Sequence, residues 1–168
     1  MRILGVDPGL QITGYGVIDF DSASARLVEA GVIRTDDRQP MAERLCEIAR
    51  GLDDVIAEFA PEEVAIEELY SHYEHPKTAI IMGHARGVIF LKAAERGLSV
   101  FPYAATRVKK SLIGNGRATK SQVQLMIRNA LGLTMTPEPP DAADALAVAL
   151  CHCRHTRHET TEMAGNTR

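Results

Sequence analysis

The spacing of apolar positions along the chain divides it into nine elements. Ile3-Leu4-Gly5-Val6 is an apolar run without a polar break, the pattern of a central strand covered on both faces. Asp7-Pro8-Gly9 ends it. GYGVID (14–19) and RLVEAGVIRT (26–35) read as two further strands, and three strands at this spacing predict an antiparallel meander. From Met41 to Phe59, Leu45, Ile48, Leu52, Val55, Ile56 and Phe59 recur at steps of three and four, one apolar helix face that Pro61 terminates. EEVAIEELY (62–70) is a fourth strand. Pro76 to Arg96 is a second helix, unusually apolar, with Gly83 and Gly87 four apart; such a helix packs closely on the sheet or on another subunit. LSVFPY (98–103) is a fifth strand, and VKKSLIGNGRATK (108–120) reads as a basic loop and turn. Thr119 is placed to cap a helix that Gly132 closes. A proline-rich loop leads to a last helix from about Asp141.

Strands broken by helices in this order describe an α/β fold, a mixed five-stranded sheet with helices on both faces. The expected organisation is one domain over residues 1–154 and a polar, aperiodic tail over 155–168, expected to be disordered.

Four acids stand where core logic would not put them. Asp7 ends the first strand, and Glu67 follows Ala65-Ile66 at the end of the fourth. Asp141 and Asp144, three apart, share one face at the start of the last helix. If the first and fourth strands are parallel neighbours, Asp7 and Glu67 emerge at the same carboxyl edge, where α/β sheets place their sites. Converging carboxylates repel by roughly 4 kcal/mol per pair at ~4 Å and an effective dielectric near 20, which a hard divalent cation removes. All-oxygen ligands suit Mg²⁺ or Mn²⁺ better than zinc, and two such ions clamp the attacking and leaving oxygens of a phosphodiester. Taken singly, Asp7 also fits a turn, Asp141 a helix cap and Asp144 an ordinary first-turn acid. A one-residue slip of the strand exchanges Glu67 with Glu68.

Charge adds a second feature. The chain of 168 residues carries a net charge of −3, which by itself disfavours a nucleic-acid partner. Yet the stretch from Arg96 to Pro137 holds seven basic residues (Arg96, Arg107, Lys109, Lys110, Arg117, Lys120, Arg128) and no acid, leaving 12 basic and 22 acidic residues elsewhere. A one-signed stretch in an acidic protein is a phosphate-binding footprint. Three cysteines without framework spacing argue against a disulfide scaffold. Cys151-His152-Cys153, with His155 and His158, suggests a zinc cluster, but neighbours two apart on a helix point to different faces. The start of the chain runs straight into strand-like sequence, so a cytoplasmic protein without a membrane span is expected.

LGVDPG…TGYGVI, AIEELY, GHARGV, VKKSLIGNGRATKSQVQ and PDAADALAVA together resemble the RuvC Holliday-junction resolvases, from Met1 to about His155. The resemblance implies an RNase H-like fold, a homodimer, and Mg²⁺-dependent cutting of four-way DNA junctions, with two ions per site and Mn²⁺ as a substitute. It implies that Asp7, Glu67, Asp141 and Asp144 are the metal-binding catalytic acids, and favours Glu67 over Glu68. Lys109 and Lys120 match the family's functional lysines. Arg107, Lys110 and Arg117 of the same stretch join them as expected DNA contacts, and Tyr70 falls where an aromatic stacks at the junction centre. The GHARGV helix matches the family's dimer helix, and the branch-migration complex RuvA–RuvB is the implied partner. The loop SHYEHPKTA after Tyr70 departs from the family pattern. Three alternatives stand beside this reading: an RNase H-like nuclease acting on an RNA–DNA hybrid, a junction-binding protein without cleavage, and an actin-like or sugar-kinase ATPase, for which the chain is too short.

Overall fold

A computed structural model describes residues 1–21, 24–69 and 76–165, with the backbone alone for 76 and 158–165. Five strands, β1 (Arg2–Asp7), β2 (Ile12–Asp21), β3 (Ser24–Arg34), β4 (Glu63–Glu67) and β5 (Ser99–Tyr103), form one sheet in the order β3-β2-β1-β4-β5. β1, β2 and β3 are the antiparallel meander; β1–β4 and β4–β5 pair in parallel. The five helices described are α1 (Met41–Phe59), α2 (Pro76–Glu95), α3 (Ala105–Ile113), α4 (Lys120–Ala130) and α5 (Pro140–Gly165).

Strand alternation sends side chains to two cores. Leu4, Val6, Val64 and Ile66 meet Ile48, Leu52 and Ile56 of α1 and Ala85 and Ile89 of α2. Ile3, Ala65 and Tyr103 face the other way, into α3, α4 and α5. Helices therefore cover both faces, as expected. α1 ends at Ala60, in a left-handed conformation with φ 45° just ahead of Pro61. α4 opens with a capping box, in which Thr119 and Gln122 satisfy each other's backbone N–H groups.

Two elements depart from the sequence reading. Residues 108–113, the first part of the expected basic loop and turn (108–120), belong to the helix α3 (Ala105–Ile113). Only Val108 and Leu112, four apart, anchor it, and burial against α5 supplies what its short pattern lacks. Gly114, with φ 80°, accepts the left-handed turn that ends it. The last helix also runs past the boundary set at 154/155, to Gly165, because no proline or glycine interrupts 141–164. No helix among the described residues is long and apolar enough to cross a membrane.

Candidate active site

Asp7 stands at the carboxyl end of β1 because Pro8 cannot continue the ladder. The turn behind it is tied down: Thr13, fully buried, donates its hydroxyl to the Gly9 carbonyl at 2.6 Å, and Thr35 Oγ1 donates to Leu10 O at 2.7 Å. The parallel register pairs Val6 with Ile66, so Asp7 and Glu67 are the next residues on adjacent strands at one edge. Strand parity resolves the choice between the two glutamates. Glu67 shares the α5 face with Ala65, while Glu68 is exposed and gives its backbone N–H to Tyr103 O at 2.9 Å.

α5 brings Asp141 and Asp144 to the same place, and three glycines make this approach feasible. A Cβ on Gly14 would lie 2.1 Å from Asp141 O, one on Gly5 2.1 Å from Ala145 O, and one on Gly16 2.5 Å from Leu146 Cδ2. The sheet and the helix meet backbone to backbone, along a helix side of Ala142, Ala145 and Ala149. These glycines are positioning residues that the sequence reading did not single out. Their signal was glycine inside strand interiors, where it marks close backbone approach.

The electrostatics follow from this crowding. Burial, then Glu67, Asp144 and Asp141, push the Asp7 carboxyl up to about 7, against a smaller pull from Lys120. Glu67 is raised by burial and by Asp144, opposed by Lys109 and Lys120. Lys120 Nζ donates to Asp144 Oδ2 at 2.8 Å, and this hydrogen bond raises the ammonium above its usual range. Glu67, Asp144, Lys109 and Lys120 line a cavity of about 210 Å³ between α3, α4 and α5. Among the described residues no three carboxylate, histidine or cysteine side chains close around a common point as an ion cage. Asp144 is instead engaged by Lys120. The donor set still fits a hard cation: it is all oxygen, and the strained ionisation of Asp7 is what such a charge relieves.

The other sequence candidates fall in three places. Lys109 and Lys120 stand at the acids. Arg107 and Lys110 are on the far side of α3, and Arg117 lies in the turn before α4, where its backbone N–H bonds Asn115 Oδ1 at 3.0 Å. Tyr70, with residues 71–75, lies outside the described residues. The cysteine–histidine cluster has its own account. Cys151 and Cys153 are buried, and burial pushes the Cys153 thiol up to about 12. Both ring nitrogens of buried His152 are engaged, Nε2 with Glu63 and Nδ1 with the Tyr103 hydroxyl, each at 2.7 Å. A carboxylate only accepts, so Nε2 donates to Glu63.

A family model described as "Crossover junction endodeoxyribonuclease RuvC" matches residues 3–152. The chain belongs to this family. A crossover junction endodeoxyribonuclease RuvC of Rhodopirellula baltica is 53% identical over 149 residues, 89% of this chain and 84% of that protein. Its counterpart in Alkaliphilus oremlandii is 47% identical over 95% of this chain and 96% of its own length. Among solved structures, T. thermophilus RuvC in complex with Holliday junction substrate superposes with a TM-score of 0.86 at 35% identity, covering 95% of this chain and 98% of that one. The fold shared with this RuvC agrees with the RNase H-like architecture the motifs implied.

Proposed function

We propose that this RuvC-family chain resolves four-way DNA junctions by paired, symmetric hydrolytic nicks that leave 5′-phosphate and 3′-hydroxyl ends. The observation that carries the reading is the convergence of Asp7, Glu67 and the Asp141/Asp144 pair at one sheet edge, with Lys109 and Lys120 facing them. Asp7, Glu67, Asp141 and Asp144 would hold two Mg²⁺ ions, for which Mn²⁺ can substitute. Bound there, they supply charge stabilisation to an in-line displacement at phosphorus.

The chain's own residues do the rest. Lys109 and Lys120 hold the phosphate and offset charge that develops on its oxygens. Lys120 then exchanges Asp144 for the phosphate as its partner. Arg107, Lys110 and Arg117 extend the contact along the backbone, and Tyr70 stacks on a base near the junction centre.

Two such sites on a two-fold homodimer match a two-fold junction, so symmetry itself specifies paired cuts. α2 supports the dimer. Ile80 is 62% exposed and Leu91 56%, and Gly83 and Gly87 have open space beside them. RuvA–RuvB is the branch-migration partner this function calls for, and the cytoplasm is where it would act.

The test is cleavage of a mobile four-way junction, with linear duplex and an RNA–DNA hybrid alongside, in Mg²⁺ and in EDTA. Symmetric, metal-dependent nicks in the junction alone are expected. Asp141→Asn should retain junction binding and lose cutting. Cutting of the hybrid instead, or normal cutting by Asp141→Asn, would remove this reading.

A further inference from the structure

Beyond the carboxylates, the seam between α3 and α5 holds a second opening. It is a cavity of about 550 Å³ lined by Arg107, Lys110, Ser111, Cys151, Arg154 and His155. Three of these six are cations, one is a histidine and none is an acid. Two of the cations are held in place. The Arg107 guanidinium lies over the Tyr103 ring, 5.1 Å from its centroid, and donates from Nη2 to His155 Nδ1 at 3.2 Å. Arg154 Nη1 donates to the carbonyl of Ser111 and to that of Leu112 at 3.2 Å, bracing the end of α3. A guanidinium has five N–H donors, and these carbonyls take only those of Nη1. Lys110 is exposed on the last turn of α3.

The two openings are successive along one stripe. Asp144 and Ala147 line the first, and Cys151, Arg154 and His155 the second. At 1.5 Å rise per residue, their centres lie about 12 Å apart along α5. One strand of duplex advances 3.4 Å per nucleotide along its axis, so for a strand running along α5 this is a reach of about three to four nucleotides.

We propose that Arg107, Lys110, Arg154 and His155 form a second phosphate subsite, which grips the backbone of the cut strand about three to four nucleotides from the scissile bond. It rests on the junction-endonuclease reading and deepens it. The subsite sets the register of the strand across the carboxylates, because a phosphate held at each end of the α3–α5 seam leaves the strand one way to lie. Arginine forks suit this task, being rigid and matched to phosphate oxygens.

The experiment measures junction binding by the full chain against salt, for wild type, Lys110→Gln and Lys110→Arg. The junctions carry a neutral methylphosphonate at each position within five nucleotides of the cut. Lys110→Gln should weaken binding three- to tenfold and lower the salt slope by about one per subunit, and Lys110→Arg should restore both. One methylphosphonate, about three to four nucleotides from the cut, should weaken wild type and add nothing to Lys110→Gln. Unchanged salt slopes with no coupled position would overturn the subsite. So would inorganic phosphate shifting the His155 ring resonances in the absence of any coupled position, which would make the cluster a free-anion site. Failure of the wild type to bind any junction would sink the underlying reading, and that arm does not involve Lys110.

Discussion

Neutralising Asp7 should make the metal-free protein more stable while abolishing cutting. In the folded chain burial and three neighbouring carboxylates raise this group from 3.8 to about 7. A carboxyl with a raised folded pKa binds more protons when native than when unfolded, so stability falls as pH rises from about 4 to about 7 and then levels. The shift of about three units corresponds to roughly 4 kcal/mol at pH 8 and under about 2 kcal/mol at pH 5. Asp7→Asn removes this cost and gives up some solvation of its own, so a gain of about 2–4 kcal/mol is expected at pH 8 in EDTA. For a chain of this length that is a rise of about 5–12 °C in Tm. The assay is thermal unfolding of both proteins in EDTA at pH 5 and pH 8. The gap should shrink at pH 5, and adding Mg²⁺ at pH 8 should raise the wild type and leave the variant unmoved. A variant no more stable than wild type at pH 8, or an equal gap at both pH values, would refute the argument that the site is strained by its own charge.

Three further outcomes are expected. Gly14→Ala pushes on the Asp141 carbonyl and shifts α5, so single-turnover cleavage should fall by about a hundredfold or more while junction affinity is retained. His152→Phe leaves the Tyr103 hydroxyl and Glu63 without their shared partner, and urea unfolding should register a loss of about 2–4 kcal/mol. Ile80→Asp combined with Leu91→Asp should turn the proposed dimer into a monomer in sedimentation experiments while the circular dichroism spectrum stays unchanged.

α1 and α4 were legible because one carries a periodic apolar face and the other a cap, and the strands and α2 because they are apolar runs bounded by turn residues. So was the meeting of Asp7 with Glu67, which needs only that β1 and β4 be parallel neighbours. What was hidden depends on contacts between distant residues. α3 has two apolar anchors in nine residues and is a helix because α5 covers it, so its lysines looked like loop residues. Gly5, Gly14 and Gly16 are visible in the sequence, but the helix they admit begins some 125 residues later. The hold of Lys120 on Asp144 likewise joins two helices whose relative placement no local pattern specifies. Glu67 and Glu68 are separated only by which face of the sheet each occupies, a parity that the register decides.

The glycine-lined contact between the sheet and α5 also bears on how a nucleic acid can be engaged. Asp7 and Glu67 belong to the sheet, Asp141 and Asp144 to a helix pressed directly on it, backbone against backbone at Gly5 and Gly14 and with the Leu146 side chain against Gly16. The backbone contacts at Gly5 and Gly14 therefore couple the placement of Asp141 and Asp144 to that of Asp7 and Glu67. To the extent that these acids keep their spacing, adaptation falls on the DNA, whose strand bends to seat its phosphate. A continuous duplex resists this elastically, whereas a branch point interrupts the duplex and bends at lower cost. Stiffness in the protein thus becomes a preference for the one form of DNA that is soft in the right place.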